Sequence, residues 1–218
     1  MRRVTENATP LRIDVISDVV CPWCFIGKRR LEKALAMTPE IAADVYYHPY
    51  FLNDWIPQEG MPREDYLNKK FGSVDAYRGM AARVAEAAAQ EGLTYAVDKI
   101  ARQPNTLDSH RLIHWAGLQG KGPQMKQRLM ELYFTEGADL TDHEVLVRAA
   151  SELGLDTDEV RARLATQDDV AETTKAANAA KEAGINGVPT FIIDGRYAVS
   201  GAQPPEVIAQ VIRKATEA

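Results

Sequence analysis

The sequence predicts an α/β protein in which two pieces of one small mixed sheet flank a long helical block. Three observations support this fold class: a strand–helix–strand pattern near the N-terminus, an alanine-rich helical stretch in the middle, and a strand–strand–helix pattern at the end. The two end pieces form one unit only as a compact sheet with helices on both faces. We therefore expect a discontinuous sheet domain over residues 11–61 and 184–218, with residues 62–183 as a helical insertion whose last helix can also be counted with the sheet domain.

The first unit begins with a strand over Leu11–Val19, which alternates imperfectly and is rich in valine and isoleucine. A helix follows from Trp23 to about Met37, with Pro22 in a first-turn position that tolerates proline. The second strand covers Asp44–Leu52, and Pro49 confines it to a sheet edge or ends it early. Two strands joined by a helix pair in parallel.

The middle of the chain shows helical periods with glycines at several helix ends. Thr141 and Glu144 form a capping-box pattern, and Asp156 with Glu159 repeats the same logic. No strand pattern is evident in this stretch. The predicted helices cover residues 74–91, 106–118, 123–135, 141–153, 156–165 and 168–183.

The C-terminal unit returns to strands at Thr190–Ile193 and Arg196–Ser200. Asp194-Gly195 between them is a strong signal for a tight hairpin. Two prolines at 204 and 205 then open a last helix that reaches about Thr216.

Composition excludes several function classes. The chain has 218 residues, is 45% hydrophobic, and carries 26 Lys and Arg against 31 Asp and Glu, a net charge of −5. This mild acidity gives no reason to expect nucleic acid or an anionic membrane as a partner. The chain contains no apolar run of about 18 residues and no secretory signal pattern, so the expected location is cytoplasmic.

The cysteine count is the most informative number. There are two, Cys21 and Cys24, in the sequence Cys-Pro-Trp-Cys, which excludes a multi-disulfide scaffold. Cys21 precedes the first turn of a predicted helix, where free N–H groups and the helix dipole stabilise a thiolate. Cys24 lies one turn further, where we expect less exposure and a higher pKa. This asymmetry is typical of a nucleophile and a resolving thiol.

Two other uses of this cysteine pair are weaker. A structural disulfide would close a four-residue loop and constrain the unfolded chain by only roughly 2 kcal/mol. A zinc site would need two more ligands, for which His110 and His114 on one predicted helix are the candidates. The strand–CxxC–helix context favours redox chemistry.

A second element, Gly187-Val188-Pro189-Thr190, stands immediately before a strand. Taken alone, Pro189 is expected to be trans, as most prolines are. With a CxxC motif upstream, a cis proline facing the dithiol becomes the better hypothesis. Such a proline leaves the backbone groups of Val188 free to pair with an extended substrate peptide.

At this point the chain resembles the DsbA-type branch of the thioredoxin superfamily, and within it the FrnE-like dithiol-disulfide oxidoreductases. This resemblance implies a thioredoxin fold with a large all-helical insertion, Cys21 as nucleophile, Cys24 as resolving thiol and Pro189 as the cis proline. The matching segments cover nearly the whole chain in the family's order: residues 18–28, 60–62, 70–72, 105–111, 187–191 and 200–203.

The sequence departs from the family pattern in two places. Thioredoxin and DsbA carry a buried acid six residues before the first cysteine, whereas this chain has Val15. Asp14 and Asp18 flank that position and are expected to point elsewhere, which leaves the Cys24 thiol without an assigned proton acceptor. The dipeptide between the cysteines is Pro22-Trp23, so the direction of electron flow cannot be copied from either relative.

We expect Pro22, Trp23, Val188 and His110 to contact substrate. His110 and Arg111 would line the groove above Cys21, although a helix cap with core packing explains the same residues. The predicted substrates are disulfides in proteins or small molecules, and the electron partner is glutathione or a thiol reductase. No bound cofactor or metal is needed; glutathione is a candidate co-substrate, and the oligomeric state is open.

The sequence leaves two alternative functions open. One is a glutathione-dependent isomerase or transferase, like the 2-hydroxychromene-2-carboxylate isomerases and kappa-class transferases, which typically have serine where Cys21 stands. A resolving thiol has no use in that chemistry, so Cys24 argues against it. The other is a non-enzymatic zinc-bound or partner-binding module.

Overall fold

The computed structural model describes residues 9–217. The four strands of its main sheet are β1 (Leu11–Ser17), β2 (Ala43–Pro49), β5 (Thr190–Ile193) and β6 (Tyr197–Ser200). They lie in the order β2-β1-β5-β6. Strand β1 pairs in parallel with β2 and antiparallel with β5, and β5 pairs antiparallel with β6.

The two units at the chain ends therefore form one sheet, as the sequence predicts. Helix α1 joins β1 to β2, and α9 follows β6. A separate two-stranded ribbon pairs β3 (Met61–Pro62) with β4 (Arg102–Gln103). The α-helices are α1 (Pro22–Ala36), α2 (Arg63–Phe71), α3 (Val74–Gln90), α4 (Leu107–Leu118), α5 (Gly122–Glu131), α6 (His143–Glu152), α7 (Thr157–Leu164), α8 (Val170–Glu182) and α9 (Pro205–Thr216).

One face of the sheet packs against α1 and α9 in what we call the sheet-side core. Alternate residues of β1, among them Ile13 and Val15, point to this face and are buried. The core is apolar throughout, because the strands contribute every second residue and α9 contributes a stripe at helical spacing. Its members are Leu11, Ile13, Val15, Leu31, Ala34, Phe191, Ile193, Val199, Ile208, Ala209, Ile212 and Ala215.

A second core lies between the start of α1 and the helical block, and we call it the dithiol-side core. Cys21, Cys24 and Phe25 pack there with side chains of the helices from α4 to α7. Phe25 stacks on Phe134 with ring centroids 5.4 Å apart. The cysteine motif therefore lies at the junction between the sheet and the helical block.

Helix α8 covers the other face of the sheet. Ala180 packs with Ile16, Tyr50 and Ile192 in a small apolar cluster, and α8 also packs on α4. The last helix of the predicted insertion thus packs directly on the sheet. The division into residues 11–61 with 184–218 and 62–183 stays a prediction.

Three local expectations were wrong. Helix α2 is not foreseen because its sequence is strongly polar and it buries only Tyr66 and Leu67. The β3–β4 ribbon interrupts the helical block. Its strands are only two residues long, too short to show an alternating pattern of apolar and polar residues. The cap of α6 is Asp142, whose carboxylate accepts from the N–H of Glu144 at 2.9 Å.

Thr141 does not cap α6 because Asp139 holds it: the Asp139 carboxylate accepts from both the Thr141 N–H and its hydroxyl. Asp156 does cap α7, accepting from the N–H groups of Asp158 and Glu159, as predicted. The hairpin at Asp194-Gly195 is also confirmed, and both residues have positive φ angles. Among the helices of the described residues, none has the length and apolar character needed to cross a bilayer.

Candidate active site

The site forms where the chain leaves the sheet and enters α1. Cys21 is the N-cap residue of that helix, and its side chain does not cap the helix by a hydrogen bond. The N–H of Cys24 donates to the Cys21 carbonyl at 3.0 Å, which closes the first turn. Both cysteines are free thiols, and both are buried in the dithiol-side core.

Burial does not separate the two thiols as expected. Cys21 is 3% exposed and Cys24 is 2% exposed. Burial raises the pKa of the Cys24 thiol well above its usual range, and the neighbouring Cys21 raises it further. The Lys126 ammonium and the backbone N–H of Asp18 act in the opposite direction. Ionisation of the Cys24 thiol therefore depends on neighbouring groups that stabilise its thiolate.

The loop before β5 faces Cys21. The Cys21 Sγ lies 3.5 Å from the Val188 carbonyl oxygen, and the Val188–Pro189 peptide bond is cis. The Thr190 hydroxyl donates to the Gly187 carbonyl at 2.8 Å and so ties the loop to the start of β5. These contacts bring together two motifs that are more than 160 residues apart in sequence.

Gly27 permits this close approach. A Cβ atom on Gly27 would lie 2.8 Å from Cγ of Pro189, which is closer than side chains pack. The bare backbone of α1 at this point thus lets the Pro189 ring sit against the helix. Gly27 lies within the family-like segment, but its role is visible only in three dimensions.

Trp23 is the exposed member of the motif, with 41% of its surface accessible. Pro22 occupies the first turn of α1 and is half-buried. Trp23 is therefore free to contact another molecule beside Cys21, whereas Pro22 shapes the helix start.

A cluster of three buried polar side chains lies behind the dithiol: Asp18, His110 and Lys126. The Asp18 carboxylate accepts from the Leu52 N–H at 2.9 Å, and its other oxygen is 3.2 Å from Nε2 of His110. Nζ of Lys126 donates to the Ser17 carbonyl at 3.3 Å. The expectation that Asp18 points away from the site was wrong, since it is fully buried there.

Burial and charge set the protonation states of this cluster. Burial opposes the Asp18 carboxylate, but His110, Lys126 and the Leu52 N–H outweigh it and lower its pKa. Burial lowers the pKa of His110 and favours its neutral form. Burial also lowers the pKa of Lys126 to about 8, against the attraction of Cys24, Asp18 and Cys21.

His110 does not line an open groove above Cys21. It is buried, held between Asp18 and the backbone of Tyr50, with Phe51 against its ring. Arg111 is also buried and braces the connection between α7 and α8. Its guanidinium donates to the carbonyls of Arg163, Thr166 and Asp168 and to the carboxylate of Asp108.

Of the two histidines named for the zinc alternative, His110 contacts Asp18 and His114 is exposed on α4. His110 is occupied by Asp18, and within residues 9–217 no three His, Cys, Asp or Glu side chains gather as a metal-binding group. The Cys21 thiol faces the Val188 carbonyl.

Sequence reasoning missed Lys126, although one signal was available. Lys126 follows Met125 and precedes Leu129 and Met130 by three and four residues, all of which are buried. A lysine on the apolar stripe of a helix is seldom buried without a reason. The expected acid position, Val15, is a member of the sheet-side core.

Comparison with known proteins decides the family. The profile of the DsbA-like thioredoxin domain matches residues 12–213. The chain belongs to the DsbA-like thioredoxin domain family. This is a family of thioredoxin-fold oxidoreductases, and the motifs at 21–24 and 187–190 lie within the matched range.

Individual proteins agree with this assignment. The chain is 33% identical to the probable DsbA oxidoreductase SCO1869 of Streptomyces coelicolor, whose crystal structure superposes with a TM-score of 0.86 over 95% of this chain and 90% of that one. It is 29% identical to the uncharacterized protein YwbO of Bacillus subtilis (strain 168), covering 93% of this chain and 96% of that protein. The cytosolic disulfide reductase DsbM of Pseudomonas aeruginosa, solved with GSH, has a TM-score of 0.68 at 18% identity over 95% of this chain and all of DsbM, which shows the shared fold alone.

Proposed function

We propose that this protein is a thiol-disulfide oxidoreductase or isomerase of the FrnE-like type, acting by dithiol-disulfide exchange through Cys21 and Cys24. The observation that carries the proposal is the placement of Cys21 at the start of α1, against the Val188 carbonyl and one helical turn before Cys24 in the same core. A helix N-terminus stabilises a thiolate, and a second thiol in contact with the first is what a resolving step requires.

The exchange proceeds in two displacements. The Cys21 thiolate attacks one sulfur of a substrate disulfide, forms a mixed disulfide and releases the other substrate sulfur as a thiolate. The Cys24 thiolate then attacks the Cys21 sulfur, forms the Cys21–Cys24 disulfide and releases the second substrate thiolate. The substrate gains two electrons and the protein loses two, which two glutathione molecules or a reductase dithiol return.

The substrate-binding residues follow from the surroundings of Cys21. The backbone of Val188, next to Pro189, is suited to pair with an extended segment that carries the disulfide. Trp23, exposed beside Cys21, offers an apolar surface, and Pro22 fixes the turn that presents it. His110 is too buried for a substrate contact, so we assign it to the buried cluster behind the dithiol.

We expect disulfides in proteins or small molecules as substrates and glutathione or a thiol reductase as the electron partner. A cytoplasmic location fits this assignment, because a reducing compartment would keep the resting dithiol reduced. Neither a bound cofactor nor a metal enters the two displacements.

The experiment that tests the proposal is the Cys24→Ser variant. With the resolving thiol removed, a mixed disulfide on Cys21 should accumulate, and turnover of a disulfide substrate should collapse. Mass spectrometry of the protein after exposure to a peptide disulfide detects the adduct. Turnover that survives in Cys24→Ser would overturn the dithiol mechanism.

A second candidate is a glutathione-dependent isomerase or transferase. The observation in its favour is that a protein of the same fold, DsbM, was solved with GSH. In that chemistry a bound glutathione thiolate reacts and Cys24 has no role. Glutathione conjugation or isomerisation that is intact in Cys24→Ser would favour this candidate.

A further inference from the structure

Lys126 is a buried cation that takes no part in the two displacements described above. It is fully buried on α5, and no carboxylate among residues 9–217 pairs with it at salt-bridge distance. A lysine in this environment pays a large desolvation penalty, so a compensating partner is expected. Its Nζ donates to the Ser17 carbonyl, directly behind the cysteine motif.

One peptide group connects Lys126 to the resolving thiol. The Ser17–Asp18 peptide accepts from Lys126 through its carbonyl, and Met125 and Leu129, which flank Lys126 on α5, pack in the same core as Cys24. The N–H of this peptide lowers the pKa of the Cys24 thiol. A donor on the carbonyl polarises the peptide and strengthens its N–H as a donor. Lys126 therefore acts on the Cys24 sulfur both by its charge and through this peptide.

The buried cluster borders a cleft whose lining includes neither Cys21 nor Trp23. This cleft of about 890 Å³ runs along the free edge of β2, between α1, α4, α5 and α8. His110 and Lys126 are among the residues that line it, together with Glu32, His114 and Glu172. A proton released behind the dithiol thus has a route to water that a substrate bound at Cys21 does not block.

We propose that Lys126 shares a proton with Cys24 and holds the Cys24 thiolate at the moment when this thiolate attacks the Cys21 sulfur. The assignment rests on the proposed dithiol function. When Lys126 and Cys24 are both protonated, Cys24 is a neutral thiol and does not attack the Cys21 sulfur, so the pair must first lose one proton. Loss of that proton to water in the cleft leaves a Cys24 thiolate beside a Lys126 ammonium, and the attack then forms the disulfide and releases the substrate thiolate.

Other charged groups face this pair and set its working range. Asp18 and Cys21 favour the Lys126 ammonium, whereas Lys28 on α1 opposes it. The charge of Lys126 in turn lowers the pKa of His110. The pKa of Lys126, about 8, is close enough to neutral pH for one proton to be exchanged without a large cost. The two groups titrate as a pair, so the measurable quantity is an apparent pKa of the resolving step.

The test is a single-turnover reaction of the reduced protein with an aromatic disulfide whose thiolate absorbs visible light. The first thiolate released reports attack by Cys21, and the second reports resolution by Cys24. In Lys126→Met, we expect the apparent pKa of the second release to rise by about one unit or more, and its rate at neutral pH to fall about tenfold. The first release should change by less than about threefold, because Lys126 acts on Cys24.

Lys28→Met is the matched control. Lys28 is also a buried lysine, one helical turn after Cys24, but its ammonium pairs with Glu32. Lys28 has the smallest of the effects on the Lys126 ammonium named above, so Lys28→Met should shift the pH profile of the second release by much less than Lys126→Met does. An unchanged profile in Lys126→Met, or an equal shift in both variants, would overturn the assignment.

A measurement on the wild-type protein keeps the test independent of folding in the variant. Nitrogen-detected titration of the Lys126 amine should give a lower midpoint in the oxidised protein than in the reduced one, because oxidation removes the Cys24 thiolate. Equal midpoints would overturn the proposal. A wild type that never releases the second thiolate would instead contradict the dithiol mechanism itself.

Discussion

The two cores of this protein use α1 in opposite ways. The sheet-side core is built from aliphatic and aromatic side chains, with Leu31 and Ala34 as the contribution of α1. The dithiol-side core receives Cys24 and Phe25 from the same helix, and charged groups are buried beside it. Asp18, His110 and Lys126 have no counterpart in the sheet-side core of the described chain. The sheet-side core stabilises the fold by apolar packing alone. The dithiol-side core has charged groups buried beside it, which lowers stability but places those groups where they can act on a thiol.

The largest expected effect comes from removing a buried charge. Asp18→Ala leaves His110 without its anionic partner, Lys126 without a nearby negative charge and the Leu52 N–H without an acceptor. We expect a loss of about 3 to 5 kcal/mol in the free energy of unfolding, measured by chemical denaturation. Asp44→Ala, at an exposed aspartate of β2, should change stability by less than about 0.5 kcal/mol. Equal losses in the two variants would mean that the buried cluster is not coupled as described.

A substitution in the sheet-side core should separate stability from chemistry. Ile212→Ala removes a fully buried side chain of α9, and large-to-small changes of this kind cost about 2 to 5 kcal/mol. The pH dependence of Cys21 alkylation should stay the same in the folded protein, because no group near the dithiol changes. An altered alkylation profile would show that the two cores are not independent.

The cluster should also make stability depend on acidity. The folded pKa of His110 lies below its unfolded value, so the unfolded chain binds protons more readily as the pH falls through that range. The free energy of unfolding should therefore decrease as the pH falls through about 6.5, the ordinary pKa of histidine, and Asp18, whose folded pKa is also lowered, should extend the loss at lower pH. His110→Gln should flatten the upper part of this curve.

The control for this titration is His114→Gln, at an exposed histidine on the same helix. It should keep the acid slope of the wild type. A slope that survives in His110→Gln would assign the acid sensitivity to other groups.

The smallest effect on stability is expected at the surface of the site. Trp23→Ala should change the free energy of unfolding by less than about 0.5 kcal/mol, because the side chain is largely exposed. It should raise the KM for a peptide disulfide with apolar residues by about two- to tenfold, the worth of one aromatic contact. Trp55→Ala, at a similarly exposed tryptophan that stacks on Tyr66, should leave this KM unchanged. An unchanged KM in Trp23→Ala would remove Trp23 from substrate binding.

The two cores also differ in how much of each could be predicted from the sequence. The sheet-side core follows from local patterns: alternation in β1, the Asp194-Gly195 turn and the helical stripe of α9 predict it. Cys21, Cys24 and Pro189 were found because short motifs carry them. Helix α2 was missed because a polar helix that buries two residues leaves little periodicity.

The buried cluster was harder to predict because its members come from three separate segments. Asp18 follows β1, His110 lies on α4 and Lys126 on α5, and no local pattern states that they meet. His110 and Arg111 were expected at a groove because their motif resembles a family segment. Their roles depend on which way α4 faces, which is set by packing between the helical block and the sheet.

The most direct test of the dithiol mechanism is the redox equilibrium of the Cys21–Cys24 pair against glutathione, followed by thiol trapping. We predict a reversible two-electron transition in which both thiols are lost together, with a midpoint that states the direction of electron flow at about 1.4 kcal/mol per 30 mV. A protein in which no intramolecular disulfide forms at any ratio of oxidised to reduced glutathione would contradict the dithiol mechanism.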